Sequence, residues 1–470
     1  MSSQGTLEKK TTAKVVLVSV VAAIGGFLFG FDTAVINGAV DAVQADFNLS
    51  SFLIGFTVSV ALLGCAVGAW FAGPLADRFG RVRVMVIASA LFTASALGSG
   101  LAFGVGDLIA WRFVGGLGVG AASVIAPAYI AEVSPAHVRG RLGSLQQLAI
   151  VTGIFLALLS DAFLANAAGG AAEELWLGLE AWRWMFLAEL VPAVAYGLLA
   201  LQVPESPRFL VASGELRRAA EVLRDVLGAR SVDAVQQKVT DIRTSLRRED
   251  KPSLRDLRGP RLGLAPIVWT GILLSVFQQF VGINVIFYYS TSLWRSVGFE
   301  ESDALTITVI TSVTNVVVTL VAISIVDKVG RKPMLLGGSL GMALTLAAMA
   351  VAFSQATGSG EDVSLPDPWG VVALVAANLY VVAFGMTWGP VVWVLLGEMF
   401  PNRIRAAALA VAAAAQWLAN FTVSTTFPAL ADVGLTFAYG LYAVMAAVSF
   451  VFVARAVRET KGMELEDMPG

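Results

Sequence analysis

Cysteine and histidine are almost missing from this chain: its 470 residues hold one of each, Cys65 and His137. A lone cysteine excludes a disulfide framework. A lone histidine with no thiol beside it leaves no ligand set for a metal, and His137, in Ser134-Pro135-Ala136-His137-Val138-Arg139, reads as a solvated loop residue. Charge is scarce too. Asp, Glu, Lys and Arg make up 14% of the chain, where a soluble domain carries roughly 25%, so there is too little polar surface for a fold bathed in water. The net charge of −2 gives no sign of a nucleic-acid partner. Strands alternating over ~10 residues, the mark of a membrane barrel, are lacking. So are the nucleophile–base pair, metal cluster or phosphate loop that catalysis needs. The run Gly115-Gly116-Leu117-Gly118-Val119-Gly120 has the glycines of a dinucleotide loop but no strand before it, and close helix packing accounts for it better. Neither an enzyme nor a cofactor or metal is expected.

What the chain has is apolar length. Hydrophobic residues make up 57% of it, gathered in blocks near the ~20 residues a helix needs to cross hydrocarbon. Twelve spans are expected at 14–40, 51–73, 83–103, 107–130, 142–164, 182–201, 263–291, 303–326, 333–354, 369–397, 404–427 and 434–456. The first is too long, and lacks the small-residue cleavage site, for a removable leader. All but three of the 32 Lys and Arg residues fall in alternate loops and the two ends, the exceptions being Arg112, Arg183 and Arg295. By the positive-inside rule both termini and the long middle segment are cytosolic, in a multi-pass protein of the cytoplasmic membrane.

The middle segment divides the spans evenly. The expected organisation is a cytosolic N-terminus (1–13), a six-helix bundle (14–201), a linker (202–262), a second six-helix bundle (263–457) and a cytosolic tail (458–470). The linker carries thirteen basic residues with Leu216, Val222, Leu223, Val226 and Leu227 at helical spacing, so it reads as short amphipathic helices. The two bundles repeat motifs. Asp77-Arg78-Phe79-Gly80-Arg81 after span 2 matches Asp327-Lys328-Val329-Gly330-Arg331 after span 8. Glu132, Pro135 and Arg139 after span 4 match Glu398, Pro401 and Arg405 after span 10. Six-helix repeats around a central site are a transporter architecture in which the halves rock against each other. Acid–base pairs at the cytosolic ends then act either as latches, closed facing outward and broken facing inward, or as anchors that snorkel and satisfy helix ends.

The segments GPLADRFGR (73–81), PESPR (204–208), QQFVGINVIFYYS (278–290), VDKVGRKP (326–333), WGPVVWVLLGEMFPNRIR (388–405) and ETKG (459–462) run over nearly the whole chain. Together they resemble the sugar-porter family of the major facilitator superfamily, above all bacterial proton-coupled sugar symporters and facilitative glucose carriers. The resemblance implies an all-α membrane protein of twelve helices in two bundles, working as a monomer in a lipid bilayer, with a monosaccharide and protons as partners. Val82, where a second basic residue is usual, and Arg458, where proline usually precedes ETKG, depart from the pattern. The implied cytosolic gate comprises Asp77, Arg81, Glu132, Arg139, Glu205, Arg208, Asp327, Arg331, Glu398 and Arg405.

A sugar is uncharged and covered in hydroxyls, so its site needs groups that donate and accept without charge. Amides lie within spans at Gln146, Gln147, Gln278, Gln279, Asn284, Asn315, Gln416 and Asn420. Buried amides serve either as helix–helix glue or as a site; Gly282-Ile283-Asn284 interrupts span 7 and favours the site there. By the resemblance, Gln147, Gln278, Gln279, Asn284, Asn315, Trp393 and Gln416 hold the sugar. Phe29, Ile154, Gly389, Trp388 and Trp417 line its pocket, and Tyr288 and Tyr289 form the outer gate. Trp388 and Trp393, lying deep, bracket Gly389-Pro390, which bends span 10. Ile154 stands where xylose–proton symporters have a second glutamine, which favours D-glucose over xylose, galactose or myo-inositol.

Asp32 lies in the middle of span 1, a costly place for a carboxylate without a partner. Arg112 is the expected partner, joined by Glu189. The group serves either as a proton switch or as a fixed packing pair. The proton symporters carry Asp at this position and the facilitative carriers a neutral amide, so the resemblance implies proton symport, with an uncoupled uniporter as the alternative. A non-transporting sugar sensor would call for a long signalling tail.

Overall fold

The computed structural model describes residues 3–134, 136–226, 231–248, 254–260, 263–357, 364–401 and 404–461, the side chains of 3–13, 136–144, 245, 247, 248, 254, 255, 327 and 406 excepted. Among the described residues, twelve helices are long and apolar enough to cross a membrane. They are Lys14–Asp46, Ser51–Phe79, Arg81–Gly100, Val105–Val133, Leu145–Ala168, Ala181–Ala200, Pro266–Arg295, Glu301–Val326, Arg331–Phe353, Trp369–Met399, Ala407–Val433 and Leu435–Ala456, here spans 1 to 12. The expected all-helical, twelve-span fold is what the chain adopts. The helix of span 5 begins at Ala136, so His137 falls in a first turn and not in a loop, its side chain outside the described residues.

Four spans are broken, and two of the breaks were legible. Span 7 parts into Pro266–Phe280 and Ile283–Arg295 about Gly282, whose φ of 83° suits glycine. Span 10 parts into Trp369–Gly385 and Trp388–Met399. Its break precedes Trp388, because Pro390 lacks the N–H that would reach the Met386 carbonyl. Pro192 acts the same way in span 6, which turns at Glu189 between Ala181–Ala188 and Leu190–Ala200. Span 1 parts at Val35 into Ser3–Ala34 and Ile36–Asp46 with no proline to announce it.

Each span n of the first half has a counterpart n + 6 in the second. Span 1 packs on span 5 and span 7 on span 11; span 3 packs on span 6 and span 9 on span 12. Between the halves, spans 2 and 11 meet, as do their counterparts 8 and 5, while the outer segments of spans 1 and 7 pack on each other. The glycine run 115–120 proves to be packing: a Cβ on Gly116 would lie 2.0 Å from the Ala61 carbonyl of span 2, and one on Gly120 2.1 Å from that of Cys65. The loops rich in Lys and Arg share one end of the bundle, called here the basic end. There the linker forms helices Pro207–Ala212, Leu216–Asp225 and Val232–Arg248, burying Leu223 and Val226; Leu227 lies outside the described residues. At the far end a hairpin, Glu174–Trp176 against Leu179–Glu180, links spans 5 and 6. It is too short to show alternation in the sequence. One apolar core joins both halves towards the far end, and the first half keeps a separate cluster towards the basic end.

Candidate functional site

The break in span 7 gathers amides. Gln278 Nε2 donates to the carbonyls of Trp388 (2.9 Å) and Gly389 (3.2 Å), so span 7 holds the first turn of the inner segment of span 10. Asn284 Nδ2 donates to Gln279 Oε1 at 2.5 Å, across the turn at Gly282. Gln278, Gln279 and Asn315 are buried, Asn284 and Gln147 half-buried. Gln146 Oε1 and Gln416 Oε1 are buried with no partner among the described residues. A buried amide oxygen left without a donor costs free energy that a hydroxyl-bearing ligand would recover. Beside Gln416, Trp417 meets Phe29 of span 1 with ring centres 5.6 Å apart, an aromatic contact between the halves.

Two expectations are revised. Trp388 does not turn to the amides: its ring is fully buried and Nε1 donates to Leu335 O and Ser339 Oγ of span 9, both at 3.0 Å. It secures the span 10 break rather than lining a pocket. Trp393, expected deep, is 42% exposed. Tyr289 is buried with its hydroxyl on the Ser424 carbonyl at 2.7 Å, and Tyr288 is buried near Asn420 of span 11. Ile154 is half-buried on span 5, whose backbone there lies against Gly30 of span 1.

In the first half Asp32, Arg112 and Glu189 do come together, all buried. Arg112 Nη1 lies 3.1 Å from Asp32 Oδ1 and 3.0 Å from the Asp32 carbonyl oxygen. Glu189 is buried beside them, near enough for its charge to act on both. Glu189 occupies the turn that breaks span 6, and Gly115 leaves room for the Asp32 carboxylate, since a Cβ there would lie 3.0 Å from Oδ1. Two carboxyls and one guanidinium thus share a space without water-facing surface.

The basic end shows the repeat in bonds. Arg81 lies 3.1 Å from Glu132 and 3.2 Å from Asp77; its counterpart Arg331 lies 2.7 Å from Glu398. Glu132 also accepts from Ser206 Oγ and faces Arg208, and Glu398 accepts from Thr460 Oγ1 at 2.5 Å. Each of these pairs forms within one half, so none is by itself a bridge between halves. Arg405 caps its own turn on the Phe400 carbonyl. The side chains of Arg139 and Asp327 lie outside the described residues. Glu205 accepts the amides of Arg81 and Val82 at the start of span 3, where Gly80 has φ 95°. Glu459 does the same for Arg331 and Lys332 at the start of span 9, after Gly330 with φ 101°. PESPR and ETKG are therefore counterparts, a third repeat that the sequence alone hid because only a Glu and a hydroxyl are shared. Burial works against ionising Glu459, but four backbone amides outweigh it and hold the carboxyl below its ordinary range.

The hydrogen bonds that join the halves gather at the far end. Asn37 Nδ2 donates to the Phe287 carbonyl at 2.9 Å, and its Oδ1 accepts from Thr291 N (3.2 Å) and Oγ1 (2.6 Å). One turn on, Asp41 accepts from Ser292 Oγ at 2.5 Å and pairs with Arg295 at 2.7 Å. Ser59 bonds Thr425, and Glu301 accepts the Ala171 amide. None of these partners was assigned a role from the sequence, although Arg295 stood out there as a basic residue away from the cytosolic loops. Asp41 and Arg295 lie near span ends, where charge is unremarkable, and only the fold sets them face to face.

A family model described as sugar (and other) transporter matches residues 18–470. The chain is 60% identical over 456 residues to a glucose transport protein of Synechocystis sp., covering 97% of both. It is 40% identical over 485 residues to a D-xylose-proton symporter of Escherichia coli, covering 96% of this chain and 94% of that one. Among solved structures, the inward open conformation of the xylose transporter XylE from E. coli superposes with a TM-score of 0.81 at 39% identity, over 97% of this chain and 99% of that one.

Proposed function

The chain belongs to the sugar transporter family of the major facilitator superfamily, and on that footing we propose that it imports D-glucose together with a proton across the cytoplasmic membrane, by alternating access. The observation that carries the coupling is the buried group Asp32–Arg112–Glu189. With both carboxyls ionised it holds a net negative charge in a low-dielectric interior, which is expensive. With one proton shared between the two carboxyls the group is neutral. Taking up and giving back that proton, as access passes from one side to the other, couples sugar movement to the gradient. A membrane potential adds ~2.3 kcal/mol per charge per 100 mV.

The 60% identity to a glucose transport protein, with Ile154 at the position discussed above, supports glucose. The D-xylose-proton symporter relative supports xylose as the second reading. Sugar would lie among Gln147, Gln278, Gln279, Asn284, Asn315, Trp393 and Gln416, against Phe29 and Trp417, with Tyr288 and Tyr289 above it. The orphaned acceptors on Gln146 and Gln416 favour this reading over glue alone. The basic end is assigned to the cytosol by the positive-inside rule, so the far end faces outward. Because the site lies between two halves of one chain, a single chain is the working unit.

Uptake of labelled glucose into proteoliposomes, with and without an inward proton gradient and a protonophore, tests this. Accumulation above the outside concentration that collapses with protonophore is expected. Saturable exchange without accumulation would make the protein a uniporter, and flux of xylose but not glucose would replace the sugar.

A further inference from the structure

Asp161 of span 5 is fully buried and takes no part in the coupling group described above. Its Oδ2 accepts the Gly38 amide of span 1 at 3.3 Å, and its Oδ1 has no partner among the described residues. Gly38 is the third residue of Ile36–Asp46, the outer segment released by the break at Val35. The first amides of a helix have no carbonyl partner in their own helix, so Asp161 caps this segment from another span. Asn37, the neighbouring residue, makes the three bonds that fasten span 7.

Among the described residues, no basic group pairs with Asp161. On the elements packed against span 5, span 1 presents Asp32 and Asp41, span 4 Arg112, span 6 Arg183 and Glu189, and span 8 Glu301. Arg112 serves Asp32, Arg295 serves Asp41, Arg183 serves Asp46 and Glu180, and Glu301 takes the Ala171 amide. A carboxylate held by one amide bond, without a cation, in a membrane interior is costly; a neutral acid is far less so. Opening the far end would draw span 7 off the outer segment of span 1 and span 8 off span 5, letting water reach this place.

We propose that Asp161 is a second proton-binding group, one that does not carry its proton across: it takes a proton from the outer side as the far end closes and returns it to that side on opening. The proton passes between external water and a carboxyl oxygen, and no other bond changes. The proposal rests on the alternating-access reading. It makes closure favoured by outer acidity, up to about tenfold per pH unit, the limit for one linked proton.

A cysteine placed at Thr425, buried against Ser59 between the halves, reports opening in a Cys65→Ala background. Right-side-out vesicles are treated with an impermeant maleimide while outer pH is stepped and the interior is buffered. Labelling, corrected for the thiol's own titration on the denatured chain, is expected to slow as the outside is acidified. Asp161→Asn keeps an acceptor for the Gly38 amide, so it should still exchange sugar yet lose this pH dependence; Asp32→Asn should keep it. An unchanged slope in Asp161→Asn overturns the proposal. Should that variant not assemble, Asp161→Glu keeps acceptor and titration, and loss of the slope there overturns the proposal equally. A parent that exchanges neither glucose nor xylose overturns the transport reading, and this one with it.

Discussion

At the scale of single residues, the chemistry of the site rests on groups that would be costly in a membrane without each other. Asp32→Asn leaves Arg112 with Glu189, a neutral pair, so the bundle should still assemble. Gradient-driven accumulation should fall to equilibration while sugar exchange persists, read by the same proteoliposomes with labelled sugar on one or both sides; accumulation that survives the change sinks Asp32 as the coupling acid. Gln278→Ala acts differently. It removes a proposed sugar contact and also a second donor to the Trp388 and Gly389 carbonyls, which position the broken span 10. The loss of one such hydrogen bond costs about 0.5–1.5 kcal/mol, which is roughly a two- to twelvefold rise in KM for transport. A KM unchanged within twofold would reduce Gln278 to a bystander. The triad was legible because a charge in an apolar run is conspicuous and Arg112 supplied its answer. Asp161 was as visible and passed unnoticed because no cation answers it. Trp388 misled because an aromatic beside Gly-Pro says nothing about which neighbouring span its ring will meet.

At the scale of elements, spans 1 and 7 are counterparts, and each breaks just past a chemical group, Asp32–Thr33 in one and Gln278–Gln279 in the other. Their outer segments, Ile36–Asp46 and Ile283–Arg295, are clasped by Asn37 and Asp41. The proposed proton and sugar groups thus sit at the roots of two segments that pack on each other, which under the proposed alternating access is a direct route for coupling. The clasp has a strong part and a weak part. Asn37 is buried and makes three bonds, whereas Asp41 and Arg295 are 31% and 42% exposed, so their pair carries the modest worth of a surface ion pair, about 0.2–1 kcal/mol. Asp41→Asn should therefore raise far-end labelling of the Thr425 cysteine, by at most about fivefold, and less at high salt, which screens the pair in the parent. Asn37→Ala should raise it more than Asp41→Asn does. Equal labelling in all three would mean that apolar packing alone holds the far end. The break in span 7 was readable from Gly282, while the break in span 1 was not, since no proline or left-handed glycine marks Val35.

Over the whole molecule, twofold repetition extends further than the motifs that betrayed it. Glu205 and Glu459 cap spans 3 and 9 in the same way, each beside a glycine of φ near +100° and each next to a hydroxyl that bonds the acid of the neighbouring pair. The linker and the tail are thereby docked as equivalents on the two halves. The two caps share no partner: Glu205 serves Arg81 and Val82, Glu459 serves Arg331 and Lys332. Interactions without shared partners add, within about 0.3–0.5 kcal/mol. Glu205→Gln and Glu459→Gln should each lower the melting temperature of the purified protein, by about 1 °C for a lost cap of ~1 kcal/mol in a chain of this size. The double variant should show the sum. The sign of the pH effect follows from the Glu459 carboxyl, which its amides hold below the ordinary carboxylate range. A group lowered on folding stabilises fully above its unfolded value and loses that contribution as pH falls through the folded one. The parent and Glu459→Gln should therefore differ most near neutral pH and converge below about pH 4. A double variant no worse than the poorer single one would mean that each half unfolds by itself, the weaker setting the transition, and that the far-end core does not bind the two repeats into one cooperative body.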